Sequence, residues 1–91
     1  MSERREVAMV NQRGLHARAS AKFVNAVSLL PEGHSVKVTK DGTSAGGGSI
    51  LGLMMLGAAK GDAVTIAVDG PEAARIADEL EALVASGFGE D

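Results

Sequence analysis

The residues of this 91-residue chain with the most chemistry to offer lie together at Gly14-Leu15-His16-Ala17-Arg18-Ala19-Ser20, where a glycine-containing loop gives way to a helical pattern. A histidine at such a junction meets the N–H groups of a first helical turn, which lack partners inside the helix, and the positive end of the aligned peptide dipoles. That place welcomes an anion. A neutral imidazole there is a nucleophile, and a phosphoryl group on it would be held by those amides, with Arg18 adding a planar, permanently charged clamp. The position is also compatible with a plainer reading in which His16 only caps a helix or lies on the surface. Position alone does not separate the two.

A second group follows about thirty residues on, where Gly46-Gly47-Gly48 precedes Ser49 and the run Ile50-Leu51-Gly52-Leu53-Met54-Met55-Leu56. The three glycines hold no regular element, and Ser49 is well suited to cap a helix of about two turns. Six of the seven residues from Ile50 to Leu56 are apolar, yet a helix on a sheet needs only about half its circumference for the core. With Leu53 and Leu56 facing the sheet, Ile50, Leu51 and Met54 are left outside as an apolar patch of the kind that marks protein interfaces, with methionine adaptable to several partners. An unusually buried helix is the alternative.

Other candidates carry less. Gly46-Gly47-Gly48-Ser49 lacks the lysine of a nucleotide-binding phosphate loop, and His16, His34 and their acidic neighbours make no metal-ligand spacing. His34, after Pro31-Glu32-Gly33, has no partner pattern and reads as a surface residue. With no cysteine there is no disulfide and no thiol chemistry. Neither metal nor cofactor is implied.

The elements that must position these groups are legible from periodicity. Glu6–Val10 reads as a strand ending at Asn11-Gln12-Arg13-Gly14, and Ala19, Phe23, Val27 and Leu30 mark one face of a helix over 17–30. Ser35–Thr39 alternates as a strand, Asp41-Gly42 suits a tight hairpin, and a short strand returns through Thr43 to Ala45. After the helix that Ser49 caps, Ala63–Val68 is strand-like. Asp69-Gly70-Pro71 then turns into a last helix, with Pro71 at its first position, an apolar stripe of Ile76, Leu80, Leu83 and Val84, and Gly87 as its stop. The order βαββαβα suggests an α+β fold with helices on one face of an antiparallel sheet.

Length and 45% hydrophobic content fit a single domain over 1–91, with no room for a second. The N-terminal residues lead into an apolar run too short for a signal core or a membrane span, so a soluble, cytoplasmic and monomeric protein without membrane insertion is expected. The net charge of −3 hides a division: residues 1–60 carry eight Lys/Arg against four Asp/Glu, and residues 61–91 one Arg against eight acids. With two Phe and no Tyr or Trp for stacking, nucleic acid is not an expected partner.

Gly14-Leu15-His16-Ala17-Arg18 with Lys22-Phe23-Val24, followed by Ser49-Ile50-Leu51-Gly52-Leu53-Met54-Met55-Leu56, resembles the HPr family, the phosphocarriers of phosphoenolpyruvate-dependent phosphotransferase systems. The likeness runs from about Val7 to Val84, with both motifs in order and at the family's separation. It implies an open-faced sandwich with four antiparallel strands in the order 1-4-2-3 and three helices on one face. It further implies that His16 is phosphorylated on its δ1 nitrogen beside Arg18. Ser49 matches a serine that in some bacteria is marked by an HPr serine kinase/phosphatase, although a serine there is also explained by capping alone. Enzyme I is the implied donor and a histidine of a IIA-type protein the implied acceptor. Ala17, Ser20, Lys22, Ile50, Leu51 and Met54 are expected to face those partners.

Two departures bear on the branch. Ala19 stands where many members have proline, and Asn25 and Ser28 stand where many sugar-system members carry lysines, leaving attraction to an acidic partner to Arg13, Arg18, Lys22 and Lys60. Ala19 and Met54-Met55-Leu56 resemble the nitrogen-related, regulatory branch. Two rival readings stand beside the carrier. One is a regulatory module whose phosphorylation state is sensed without transport; the other is an unrelated α+β binding domain with an incidental histidine.

Overall fold

The structure is a computed structural model and describes residues 1–90. Its elements are β1 (Ser2–Ala8), α1 (Ala17–Ser28), β2 (Ser35–Lys40), β3 (Thr43–Gly46), α2 (Ile50–Met55), β4 (Ala63–Asp69) and α3 (Ala73–Ala85), closed by a single 3-10 turn at Gly87–Gly89. The sheet is antiparallel throughout, in the order β1-β4-β2-β3. β4 lies in the middle, pairing with β1 from Val7↔Val64 to Ser2↔Asp69 and with β2 from Thr39↔Thr65 to Ser35↔Asp69. This is the order and class that the sequence led us to expect.

Strand alternation decides which face is covered. Val7, Val36, Val38, Ala45, Val64, Ile66 and Val68 are buried, and Phe23 of α1, Leu53 of α2, and Ile76, Leu80 and Val84 of α3 join them in one core. The residues between them, among them Arg4, Glu6, Lys37 and Ser44, look outward from a face that no helix covers. At the β2–β3 turn Asp41 and Gly42 both take positive φ, 49° and 81°, as the expected tight hairpin requires.

Three elements have bounds that differ by two or more residues from the sequence reading. β1 spans Ser2–Ala8, not Glu6–Val10. Its inward positions at the polar end are filled by Glu3 and Arg5, and the Arg5 guanidinium reaches Glu3 at 2.7 Å and Asp78 of α3 at 3.0 Å. Polar residues thus occupy core-side positions and hide the strand from a hydrophobic pattern. α3 begins at Ala73, so Pro71 lies in the turn before the helix rather than at its first position. α1 ends at Ser28, two residues short of the expected Leu30, with Leu29 at its C-cap.

His34 is not an idle surface residue. Its Nδ1 lies 3.0 Å from the carbonyl of Pro31, and its Nε2 accepts the backbone N–H of Glu72 at 3.0 Å. Glu72 precedes α3 and has no side-chain cap of its own, so the imidazole meets one of the donors that a helix start leaves unpaired. Gly70 makes room for it, since a Cβ there would stand 2.2 Å from His34 Cδ2.

Candidate functional site

The loop between β1 and α1 is shaped by Gly14. Its φ is +60°, and a Cβ on it would sit 2.1 Å from the carbonyl oxygen of Ala58, so any side chain there meets backbone on both counts. That closeness lets Leu15 N–H donate to the Ala58 carbonyl at 2.9 Å, tying the site loop to the segment after α2. Leu15 itself is buried, anchoring the residue before His16.

His16 is the N-cap of α1, with φ −75° and ψ −179°. Its Nδ1 accepts the backbone N–H of Arg18 at 3.3 Å. The amides of Ala17 and Ala19 have no partner among the described residues, and Ala17 and Arg18 are exposed. Nor does the Arg18 guanidinium make a hydrogen bond or ion pair among the described residues. Nδ1 therefore lies at the start of a twelve-residue helix, beside unpaired amides and the positive end of the helix dipole, with Arg18 two residues on in the first turn. No acidic residue in the first turn of α1 opposes an arriving anion.

The opposite edge of the ring is engaged by a residue that the sequence reading did not single out. His16 Nε2 lies 2.8 Å from Glu90 Oε2, and the other carboxylate oxygen of Glu90 accepts from Asn11 Nδ2 at 3.0 Å. Asn11 is buried, and the same Nδ2 donates to the Gly14 carbonyl at 2.8 Å. A proton on Nε2 and a lone pair on Nδ1 satisfy both contacts of the neutral ring at once. Burial pushes the Glu90 carboxyl up, but hydrogen bonds from Asn11 and His16, with the charges of His16 and Lys22, outweigh it and hold the group below the usual carboxylate value.

Glu90 reaches the site because, after α3 ends at Ala85 and Gly87 turns the chain with φ +69°, Phe88 is buried in the core with φ +59°. The Lys22 ammonium closes the arrangement by donating to the Phe88 carbonyl at 2.7 Å. No periodicity marks these last residues, and the only signal in the sequence was a large apolar residue just beyond the expected helix stop.

The other expected site residues divide. Ser49 caps α2 through its Oγ, which accepts the Gly52 N–H at 2.9 Å. Leu53 and Leu56 are buried, whereas Ile50, Leu51 and Met54 are exposed, and Met55 joins them at 75% exposure. α1 and α2 pack side by side. Ser20 needs correction: it is fully buried and its hydroxyl donates to the Leu15 carbonyl at 3.2 Å, so it braces the loop from inside and cannot meet a partner. Among the described residues no cluster of metal-ligating side chains occurs and no helix is long and apolar enough to cross a membrane.

Comparison with known proteins places this geometry. Residues 3–86 match the PTS-HPr family, described as the PTS HPr component phosphorylation site. A phosphocarrier protein HPr from Cupriavidus necator is 41% identical over 86 residues, 94% of each chain. Phosphocarrier protein NPr from Escherichia coli is 32% identical over an alignment covering 100% of both. The crystal structure of HPr-C-His from Thermoanaerobacter tengcongensis superposes with a TM-score of 0.89 at 31% identity, covering 98% of each chain.

Proposed function

The chain belongs to the HPr family of phosphotransferase-system phosphocarriers, and from that premise we propose that His16 Nδ1 is the atom that receives the phosphoryl group and passes it on. The observation that supports this most directly is an Nδ1 lone pair that accepts the Arg18 N–H at a helix start whose Ala17 and Ala19 amides have no partner among the described residues. Phosphoryl transfer between two imidazoles needs little beyond alignment and charge stabilisation, so a shallow site on a small protein suffices. The protein is then a substrate and product of partner phosphotransferases rather than an enzyme, acting on the cytoplasmic side as one folded unit.

The donor in this reading is enzyme I and the acceptor a histidine of a IIA-type protein. Both would cover Ala17, Arg18 and the exposed Ile50, Leu51, Met54 and Met55 of the adjoining helix. Lys22 remains a rim cation, although its ammonium is already held by Phe88. Ser49 is a candidate regulatory site, being exposed at the edge of that patch. The similarity to NPr supports the nitrogen-related branch, and identifying the acceptor decides between it and the sugar branch.

The test is incubation with enzyme I and phosphoenolpyruvate. The wild type is expected to gain one acid-labile, base-stable phosphoryl group, and His16→Ala none while keeping its fold, because His16 contributes little to the core. The same phosphoryl group on His16→Ala would sink the assignment.

A further inference from the structure

We propose that Glu90 is a positioning residue for phosphoryl transfer, keeping the ring proton of His16 on Nε2 so that Nδ1 remains the nitrogen that takes and releases the phosphoryl group. This rests on the carrier role proposed for His16. Three observations on different residues carry it. Glu90 Oε2 is 2.8 Å from Nε2 with both side chains largely shielded, 13% and 16% exposed. Asn11, buried and also bound to the Gly14 carbonyl, fixes the other carboxylate oxygen. Phe88, seated in the core two residues before Glu90 and held through its carbonyl by Lys22, sets the reach of the segment.

The chemistry follows from where the proton must be. On acceptance the P–N bond of the donor breaks, its electron pair returns to the donor ring, and the Nδ1 lone pair of His16 forms the new P–N bond. The product ring still bears the Nε2 proton and is cationic, beside the carboxylate. On release the Nδ1–P bond breaks and its electron pair returns to Nδ1. With the proton on Nε2 the departing ring is a neutral imidazole, and without it the ring would have to leave as an imidazolate, a far poorer leaving group. Glu90 thus favours the form that can give the group away, and no proton enters or leaves the pair during the cycle. Among the described residues the charged groups acting on this pair are Glu90 itself and Lys22 of α1; α2 contributes no ionisable side chain.

Glu90→Gln is a sharp probe because Asn11 already donates to two acceptors. The Gln oxygen takes the place next to Asn11 Nδ2, which leaves its NH2 facing His16 Nε2 as a second donor. Nitrogen-15 NMR of the free protein under alkaline conditions is expected to show the Nε2–H tautomer in the wild type and a shift toward Nδ1–H in Glu90→Gln. After loading with enzyme I and phosphoenolpyruvate, the pH profile for phosphoryl donation, and for spontaneous loss of the group, is expected to move down by about one unit in the variant. On the alkaline limb that is roughly a tenfold slower release. Amide spectra of the two proteins report whether the fold is shared.

An unchanged tautomer together with an unchanged pH profile would overturn the positioning role while leaving the carrier role standing. If the wild type accepted no phosphoryl group, the carrier role would fall instead. The tautomer measurement, which needs no phosphoryl donor, still decides whether Glu90 directs the ring.

Discussion

An arginine whose guanidinium makes no hydrogen bond or ion pair among the described residues is the simplest residue of the proposed site to interpret: its charge is available to an arriving phosphoryl group. Arg18→Ala is therefore expected to leave the melting temperature nearly unchanged. Loss of one charge-assisted contact is worth about 1.5–3 kcal/mol, so rapid-quench transfer kinetics should show a rate lower by roughly tenfold or more. Unchanged kinetics would remove Arg18 from the site. His34 is the converse case, a histidine with a structural task and no place in the transfer. Because its Nε2 accepts the Glu72 amide at 3.0 Å, His34→Ala should lower stability by about 1 kcal/mol, in the range of a lost helix cap, with phosphorylation unaffected. This cap was not legible in the sequence, since donor and acceptor are joined only by the way α3 folds back on the β2 turn. The placement of His16 and Arg18 at a helix start was legible because the five residues from Gly14 to Arg18 spell out that local junction.

Among the elements, α2 joins a capped helix start to an exposed apolar patch. A negative group at Ser49 sits at the helix N-terminus and is mildly favourable there. The same charge lies beside Ile50, Leu51 and Met54, where a partner presenting acids to Arg13 and Arg18 would meet repulsion and a desolvation cost. Ser49→Asp is expected to hold or slightly raise the melting temperature and to slow transfer from enzyme I, while Ser49→Ala transfers at nearly the wild-type rate. A much lower melting temperature, or full-rate transfer, in Ser49→Asp would contradict this placement. The outward residues of α2 could be read from the sequence because six apolar side chains cannot all fit one half of so short a helix. The full extent of β1 and the turn after Gly87 could not. Arg5 is held on the core side by Asp78, and Phe88 finds its pocket through tertiary packing, and neither contact has a period.

Taken whole, the molecule couples its stability to the tail that reaches the site. Glu90 has its carboxyl held below the ordinary 4.5, so folding gains from its ionised form. That contribution is fully present above 4.5 and is lost as pH falls through the lower folded value. Thermal melts should show a decline on acidification over that range which is shallower in Glu90→Gln, and identical slopes would count against it. The sheet has a further consequence for a protein that must meet partners in succession. Both edge strands of the β1-β4-β2-β3 order are free to template a foreign strand. β1 lines its edge with Glu3, Arg4, Arg5 and Glu6, and β3 is only four residues long and ends in glycine. Neighbouring copies would therefore meet charge on one side and too little ladder on the other, which disfavours strand-to-strand stacking of this chain and leaves its sticky helical patch for visitors of another kind.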